Sequence, residues 1–494
     1  MKNTVNPIAK YTKKLLAPAN LFVILALIAG VFFIILTPPG TNDDEPTHYI
    51  RVQQIANGQI FNDIAPYPIY EQDTRADNDR LIGFGPIDKN AYNFIKSYKF
   101  GEKYSLPFDK ILPNNQRYHS SNIITQTAGQ ATPNSPFAYI PLIAGVKIAE
   151  VFQLSLLNEF MLAKLLQLLV CVLLIYISIK TLPRGKWVLF ALSVLPITVV
   201  QFAAFSHDGL TYCFAALLFS YIYKIIYEQK KLELQNYFIL PLLAICLGGM
   251  KMTYFPIAAL GILIPILNKN WHNWKGWILT LASFITSSAV CTFLTLKVSK
   301  VNPDITIFTE SRINPDMQLS TIMHNPLYFV RAAFNSIFFQ IPEPGAYLHA
   351  RQQLTLFGVI SGDRLLLQPW FMLSSILSVT FAIVITTTKK PLLVINSFQK
   401  KMFTAARYLI PLACLTLIYL TLYLAITPVR EGYIWGVQTR YWLPFLPLLL
   451  IPQFAYIKLD EKIIKHLQTA MILLSVISLL DAVYSTGLQT FIDL

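Results

Sequence analysis

Charge is scarce in this sequence. Asp, Glu, Lys and Arg make up 13% of its 494 residues, against about 25% in an average soluble globular protein. Hydrophobic residues reach 54%, and mean hydropathy is +0.49. So little charge excludes both an ordinary water-soluble enzyme and a disordered chain. Cysteine is sparse too. The five cysteines, Cys171, Cys213, Cys246, Cys291 and Cys414, all lie in apolar runs and none forms a CxxC pair. That excludes a disulfide framework or a zinc site and reads as buried structural thiols. No internal repeat is visible either.

What remains is an all-α polytopic membrane protein. A hydrocarbon core about 30 Å thick takes about 17 to 25 apolar residues to cross. The first such run, Leu21 to Leu36, ends in Thr37-Pro38-Pro39-Gly40 without an A-x-A-like site, so it is read as an uncleaved span rather than a signal peptide. Ten more runs follow, near 160–182, 187–205, 208–227, 236–250, 253–268, 277–298, 370–388, 405–426, 441–457 and 468–486. The expectation is therefore about eleven transmembrane helices. These divide into a cytoplasmic N-terminus (1–20), a first helix (21–37), a large extracytoplasmic loop (38–159), helices 2–7 (160–298), a second extracytoplasmic segment (299–369) and helices 8–11 (370–494).

Residues 137–152 are apolar but short, and carry Lys147 and Glu150. Laid along the membrane surface as an amphipathic helix, they leave all six basic segments on the inside: the N-terminus with Lys13, then 180–186, 224–231, 269–275, 389–401 and 458–465. The net charge of +14 is then a topology signal, not a nucleic-acid footprint. The N-terminus is expected in the cytoplasm and the C-terminus outside, in a bacterial plasma membrane. Five of the seven histidines (His48, His119, His207, His324 and His349) fall on the outer side.

Chemistry-bearing residues collect at that outer boundary. Asp43, Asp44 and Glu45 are consecutive carboxylates, suited to a general base or a metal ligand; equally, they suit a cap for the helix beginning near Pro46. Asp208, beside His207, reads either as a site residue or as a helix N-cap. Lys251 interrupts an apolar stretch, and a buried cation of this kind usually faces a partner or a polar cavity. Lys164, behind Glu159, reads in the same way or as a snorkelling cation. Arg430, Gln438 and Arg440 join belt aromatics to cations able to bind a phosphate. Cations there could hold a phosphate leaving group while a carboxylate deprotonates an acceptor hydroxyl.

Four motifs in order carry a resemblance: Asp44-Glu45-Pro46-x-His48; Ser135-Pro136-x-x-Tyr139-x-Pro141; Leu195-Pro196 followed by Ser206-x-Asp208; and Gly436-Val437-Gln438-x-Arg440-Tyr441-x-x-Pro444. Over roughly residues 20 to 455 the chain resembles a bacterial multipass family catalogued as a domain of unknown function. That family is in turn similar to the GT-C superfamily of membrane glycosyltransferases, which includes protein O-mannosyltransferases and the aminoarabinose transferase of lipid A. The resemblance implies transmembrane helices with a large first loop bearing membrane-surface helices. It also implies transfer of a sugar from a polyprenyl-phosphate carrier, with a carboxylate of the first loop as base. Carried over by position, Asp44 is the first choice, flanked by Glu45 and Asp43, and His48 matches the family's histidine. Lys164 stands where such proteins often have Arg, and Asp208, Lys251 and Arg440 fall where a cavity lining is expected.

The sequence departs from metal-dependent members in lacking a separate DxD pair. No metal is expected to be required, although Asp43-Asp44-Glu45 offers oxygen donors that could hold a divalent ion. The expected partners are a lipid-linked sugar donor, an envelope glycan or glycolipid acceptor, membrane lipids, and a carrier-loading glycosyltransferase and flippase. Two other readings stand beside this one: a transporter or flippase of lipid-linked glycans, and a noncatalytic assembly protein whose loop binds polysaccharide.

Overall fold

In a computed structural model, described for residues 16–42, 44–66, 81–98, 102–105, 107–132, 134–230, 232–267, 274–298, 313–338, 369–391, 393 and 395–491, the first apolar run forms helix α1, Pro18–Leu36. Pro18 suits a first turn because its missing N–H would have no partner there. The chain then turns into α2, Glu45–Ala56, and a small extramembrane unit. Its strands β1 (Asp63–Pro66), β2 (Leu81–Asp88) and, after helix α3 (Lys89–Ser97), β3 (Ile123–Thr127) form one antiparallel sheet in the order β1-β2-β3. Phe84 is the shared register point, opposite Asp63 on one side and Thr127 on the other.

Helix α4, Ile140–Val151, covers the stretch expected to lie along the membrane surface. Twelve residues rise about 18 Å, and the 3₁₀ turn Pro136–Tyr139 that leads into them adds about 8 Å, against a hydrocarbon core about 30 Å thick. The helix packs against α5, Leu156–Thr181. A Cβ on Gly145 would sit 2.4 Å from the Cα of Ala163, so the two backbones can approach this closely only over a glycine.

The expected run 187–205 is not one helix. It divides into α6 (Lys186–Ser193) and α7 (Pro196–Ala203), bent by 65°, because Pro196 lacks an N–H and its ring disfavours helical backbone just before it. Next come α8 (Asp208–Glu228), α9 (Asn236–Met250), a 3₁₀ helix over Met252–Ile262 and α10 (Leu263–Leu267). Pro256 and Pro265 interrupt regular α-bonding over 252–267. At about 2 Å per 3₁₀ residue, those sixteen residues reach roughly 30 Å. The remaining elements are α11 (Trp274–Val298), α12 (Pro315–His324), α13 (Leu327–Phe338), α14 (Pro369–Thr387), α15 (Ser397–Ala425), α16 (Leu446–Leu450) and α17 (Glu461–Phe491). The expected run 441–457 thus holds only the end of a 3₁₀ turn, Thr439–Trp442, and the short α16.

Six helices among the described residues are long and apolar enough to cross a membrane: α1, α5, α8, α11, α15 and α17. The bent pair α6–α7 makes a seventh if it crosses as one unit. The chain is an all-α polytopic membrane protein with a small β-sheet outside the bundle. Of the six helices, α8 is the most enclosed. Opposite the end where α8 begins, the buried guanidinium of Arg184 donates to four backbone carbonyls, those of Pro452 (2.7 Å), Lys389 (2.7 Å), Lys390 (2.9 Å) and Ala455 (2.9 Å). It ties the ends of α5, α14 and the segment before α17 together.

Candidate functional site

The end of α1 and the starts of α2, α5 and α8 meet at one end of the bundle. Asp44 stands at the start of α2 with a positive φ of 55°, and its side chain caps nothing. Left-handed backbone costs an L-residue about 1–2 kcal/mol. Here it turns the carboxylate away from the helix toward Arg440, whose Nη2 donates to Asp44 Oδ2 at 3.3 Å.

Arg440 lies on a 3₁₀ turn, Thr439–Trp442, which Tyr254 anchors by donating its hydroxyl to the Tyr441 carbonyl at 2.8 Å. Its Nε sits 2.7 Å from Asp208 Oδ2. Asp208 is the first residue of α8. Its Oδ1 faces Lys251 Nζ at 3.1 Å, so the carboxylate is paired with cations rather than spent as an N-cap. Lys251 follows α9 in extended backbone, φ −151°, and its ammonium lies 4.0 Å from the centre of the Tyr441 ring, within cation–π range. Asp44, Asp208, Lys251 and Arg440 thus form one network of two carboxylates and two cations.

Glu45 and Lys164 form a separate buried pair. Neither side chain has measurable exposure, and Nζ lies 3.2 Å from Glu45 Oε1. Glu45 also accepts from Gly40 N (3.0 Å), Asn42 Nδ2 (3.3 Å) and Phe205 N (3.0 Å). Beside it, Gln167 Nε2 donates to the carbonyls of Ala204 (2.8 Å) and Ser206 (2.7 Å). A Cβ on Gly209 would lie 2.4 Å from the Gln201 carbonyl oxygen, so only glycine lets α8 start this close to α7. These contacts fix the 204–208 turn against α2 and α5, and Glu45, the neighbour of Asp44, acts as a tie.

His48 Nδ1 is 2.6 Å from the Tyr139 hydroxyl, which also accepts from Asn134 Nδ2 at 2.9 Å. Burial pushes the His48 imidazole down to about 3, with Arg440 and Lys251 adding to the effect against Asp208, so the ring is neutral at neutral pH. His207 packs edge-on against His48, ring centres 5.1 Å apart, and against Tyr139 at 6.0 Å.

Some expected residues lie elsewhere. Arg430 sits in a turn that Gln318 of α12 holds by accepting its amide at 3.0 Å, outside the ion-pair network. Gln438 keeps a buried Oε1 without a hydrogen-bond partner among the described residues. Asp43 lies outside the described residues, as do His349, Lys13, residues 268–273 and most of 299–369, the segment expected to be extracytoplasmic. Among the described residues, no three His, Cys, Asp or Glu side chains are grouped to hold a metal ion.

A second polar cluster went unforeseen. Fully buried Glu159 accepts from Tyr49 Oη (3.1 Å) and Gln53 Nε2 (2.5 Å) and pairs with His119 Nε2 at 2.6 Å. His119 Nδ1 lies 4.0 Å from Asp88, whose Oδ2 accepts from Ser120 N at 2.6 Å. Burial alone would lower the His119 pKa, but the hydrogen bond and charge of Glu159, with Asp88 and Glu150 adding, leave it raised. Only the position of Glu159 at the head of an apolar run hinted at this in the sequence.

No curated protein and no solved structure matches the chain. A family description does match, over residues 27–449. That stretch holds Asp44, Asp208, Lys251 and Arg440 together with the helices that place them, and the chain belongs to the family described as "Predicted membrane protein (DUF2142)".

Proposed function

We propose that the protein is a GT-C-like glycosyltransferase of the bacterial plasma membrane, which moves a sugar from a polyprenyl-phosphate carrier to a hydroxyl of a cell-envelope glycan or glycolipid on the extracytoplasmic face. The observation that carries this reading is the Asp44–Arg440–Asp208–Lys251 network, in which one carboxylate is enclosed by cations and the other is left partly open. Asp208 is 9% exposed and meets both Lys251 and Arg440, whereas Asp44 is 30% exposed and, among the described residues, pairs with Arg440 only.

In the step this arrangement supports, Asp44 takes the proton of the acceptor hydroxyl as its oxygen bonds to the anomeric carbon. The bond from that carbon to the phosphate oxygen breaks, and its electron pair leaves with the polyprenyl phosphate. Lys251 and Arg440 stabilise the departing charge, as preorganised cations do in a water-poor site. Asp208 orients both cations, and Glu45 with Lys164 positions the turn that carries Asp44. With two side-chain cations available, this reading requires no divalent metal.

The same reading takes the chain across the membrane about eleven times, N-terminus inside and C-terminus outside, with short, bent and 3₁₀ segments supplying the crossings beyond the long helices. A carrier-loading glycosyltransferase and a flippase would supply the donor. The test is transfer from lipid-linked sugar donors to envelope acceptors by purified protein. Asp44→Asn should lower the rate about 10²–10⁴-fold, the usual contribution of a general base. Transfer at full rate by Asp44→Asn would sink the assignment of Asp44, and carrier movement across vesicles without any transfer would favour a flippase.

A further inference from the structure

We propose that His207, walled by the rings of His48 and Tyr139, receives hydroxyl groups of an uncharged sugar, while Lys251 and Arg440 hold the phosphate that carries it. The inference rests on the glycosyl-phosphate reading above and narrows it to one class of sugar. His207 is 6% exposed, yet neither of its ring nitrogens has a hydrogen-bond partner among the described residues. Its Nε2 lies 3.6 Å from Asp208 Oδ1, beyond hydrogen-bond range. A buried donor and acceptor without protein partners weaken a fold unless water or a ligand completes the bonding, and at His207 the neighbouring cations of Lys251 and Arg440 favour a ligand.

The chemistry of the patch selects the ligand. A neutral imidazole offers one donor and one acceptor, which is what a hydroxyl needs. An ionised phosphate only accepts, and it finds its donors at Lys251 and Arg440 next to Asp208. Burial holds His207 neutral even beside Asp208, with Lys251, His48 and Arg440 helping. Asp208 is already paired with both Lys251 and Arg440, and Asp44 with Arg440, so these carboxylates are neutralised and offer an ammonium-bearing sugar no net attraction.

The test titrates purified protein in lipid nanodiscs with undecaprenol, undecaprenyl phosphate, the glucosyl, galactosyl and mannosyl esters of that phosphate, and its 4-amino-4-deoxyarabinosyl ester. At least one neutral-sugar lipid should bind about tenfold tighter than bare undecaprenyl phosphate, the yield of one or two well-made hydrogen bonds. His207→Phe should erase that difference, and His207→Gln, which keeps a donor and an acceptor, should restore most of it. Equal weakening of bare and sugar-bearing carrier by His207→Phe overturns the proposal, as does tightest binding of the ammonium sugar. Undecaprenyl phosphate binding no better than undecaprenol would instead remove the glycosyl-phosphate reading itself, a result separate from loss of sugar discrimination.

Discussion

Asp44 and Asp208 share one guanidinium: Arg440 reaches Asp44 Oδ2 through Nη2 at 3.3 Å and Asp208 Oδ2 through Nε at 2.7 Å. A planar fork spans both, which a point-charge ammonium cannot do. Arg440→Lys should therefore lower transfer at least tenfold while the protein still folds, because Lys251 continues to pair with Asp208. Rates measured beside a thermal melt in detergent check both halves of this expectation.

The Glu45–Lys164 pair makes the opposite kind of prediction. Removing one partner of a fully buried ion pair typically costs about 3–5 kcal/mol, because the other charge is left stranded. Glu45→Gln and Lys164→Met should each lower the melting temperature strongly. The double variant should be more stable than either, and a double variant that melts as low as the sum of the two losses would show the pair to be uncoupled.

His119 supplies a pH dependence. Its pKa is raised above 6.5 in the folded protein, so the stability it adds is fully present below about 6.5 and is lost as pH rises through the folded value. His48 works the other way: its lowered pKa costs stability as pH falls below 6.5 toward 3. The clean measurement is a difference. The melting-temperature gap between the natural protein and His119→Gln should be widest near pH 6 and close on the alkaline side, and a gap that widens with pH would contradict the Glu159 pairing.

Arg184 faces four carbonyls, and no acidic side chain pairs with it among the described residues. Arg184→Lys keeps the charge but loses the fork, and should cost about 2–3 kcal/mol, roughly the worth of one or two charge-assisted hydrogen bonds. Melting temperature and protease sensitivity of the 389–396 and 452–460 segments read this out.

Orientation is measured separately. Reporter fusions at residues 184 and 395 should report the cytoplasm and one at 155 the outside. A cytoplasmic signal at 155 would require 137–152 to cross the membrane and would reverse every later side.

The long apolar runs were plain in the sequence because α1, α5, α8, α15 and α17 each hold enough consecutive apolar residues to span. The breaks were not, since the bend at Pro196 and the 3₁₀ course of 252–267 leave hydropathy unchanged and alter only backbone bonding. At the site, Asp44, Asp208, Lys251 and Arg440 stood out as polar residues at apolar boundaries, and the fold brings them together. Their division of labour was hidden. Glu45 and Lys164 look like site residues by position, and only the amides of Gly40 and Phe205 reveal Glu45 as a tie. The cluster of Asp88, His119 and Glu159 depends on a loop folding back onto α5, which no local spacing encodes.

The left-handed backbone at Asp44 sets stability against activity at a single position. Glycine adopts a φ of 55° without the Cβ clash that an L-residue meets there. Asp44→Gly should thus raise the melting temperature while removing the proposed base, so selection for a sturdier protein and selection for a working one would pull this residue in opposite directions. A screen for thermal resistance that ignores activity would be expected to discard the acid early.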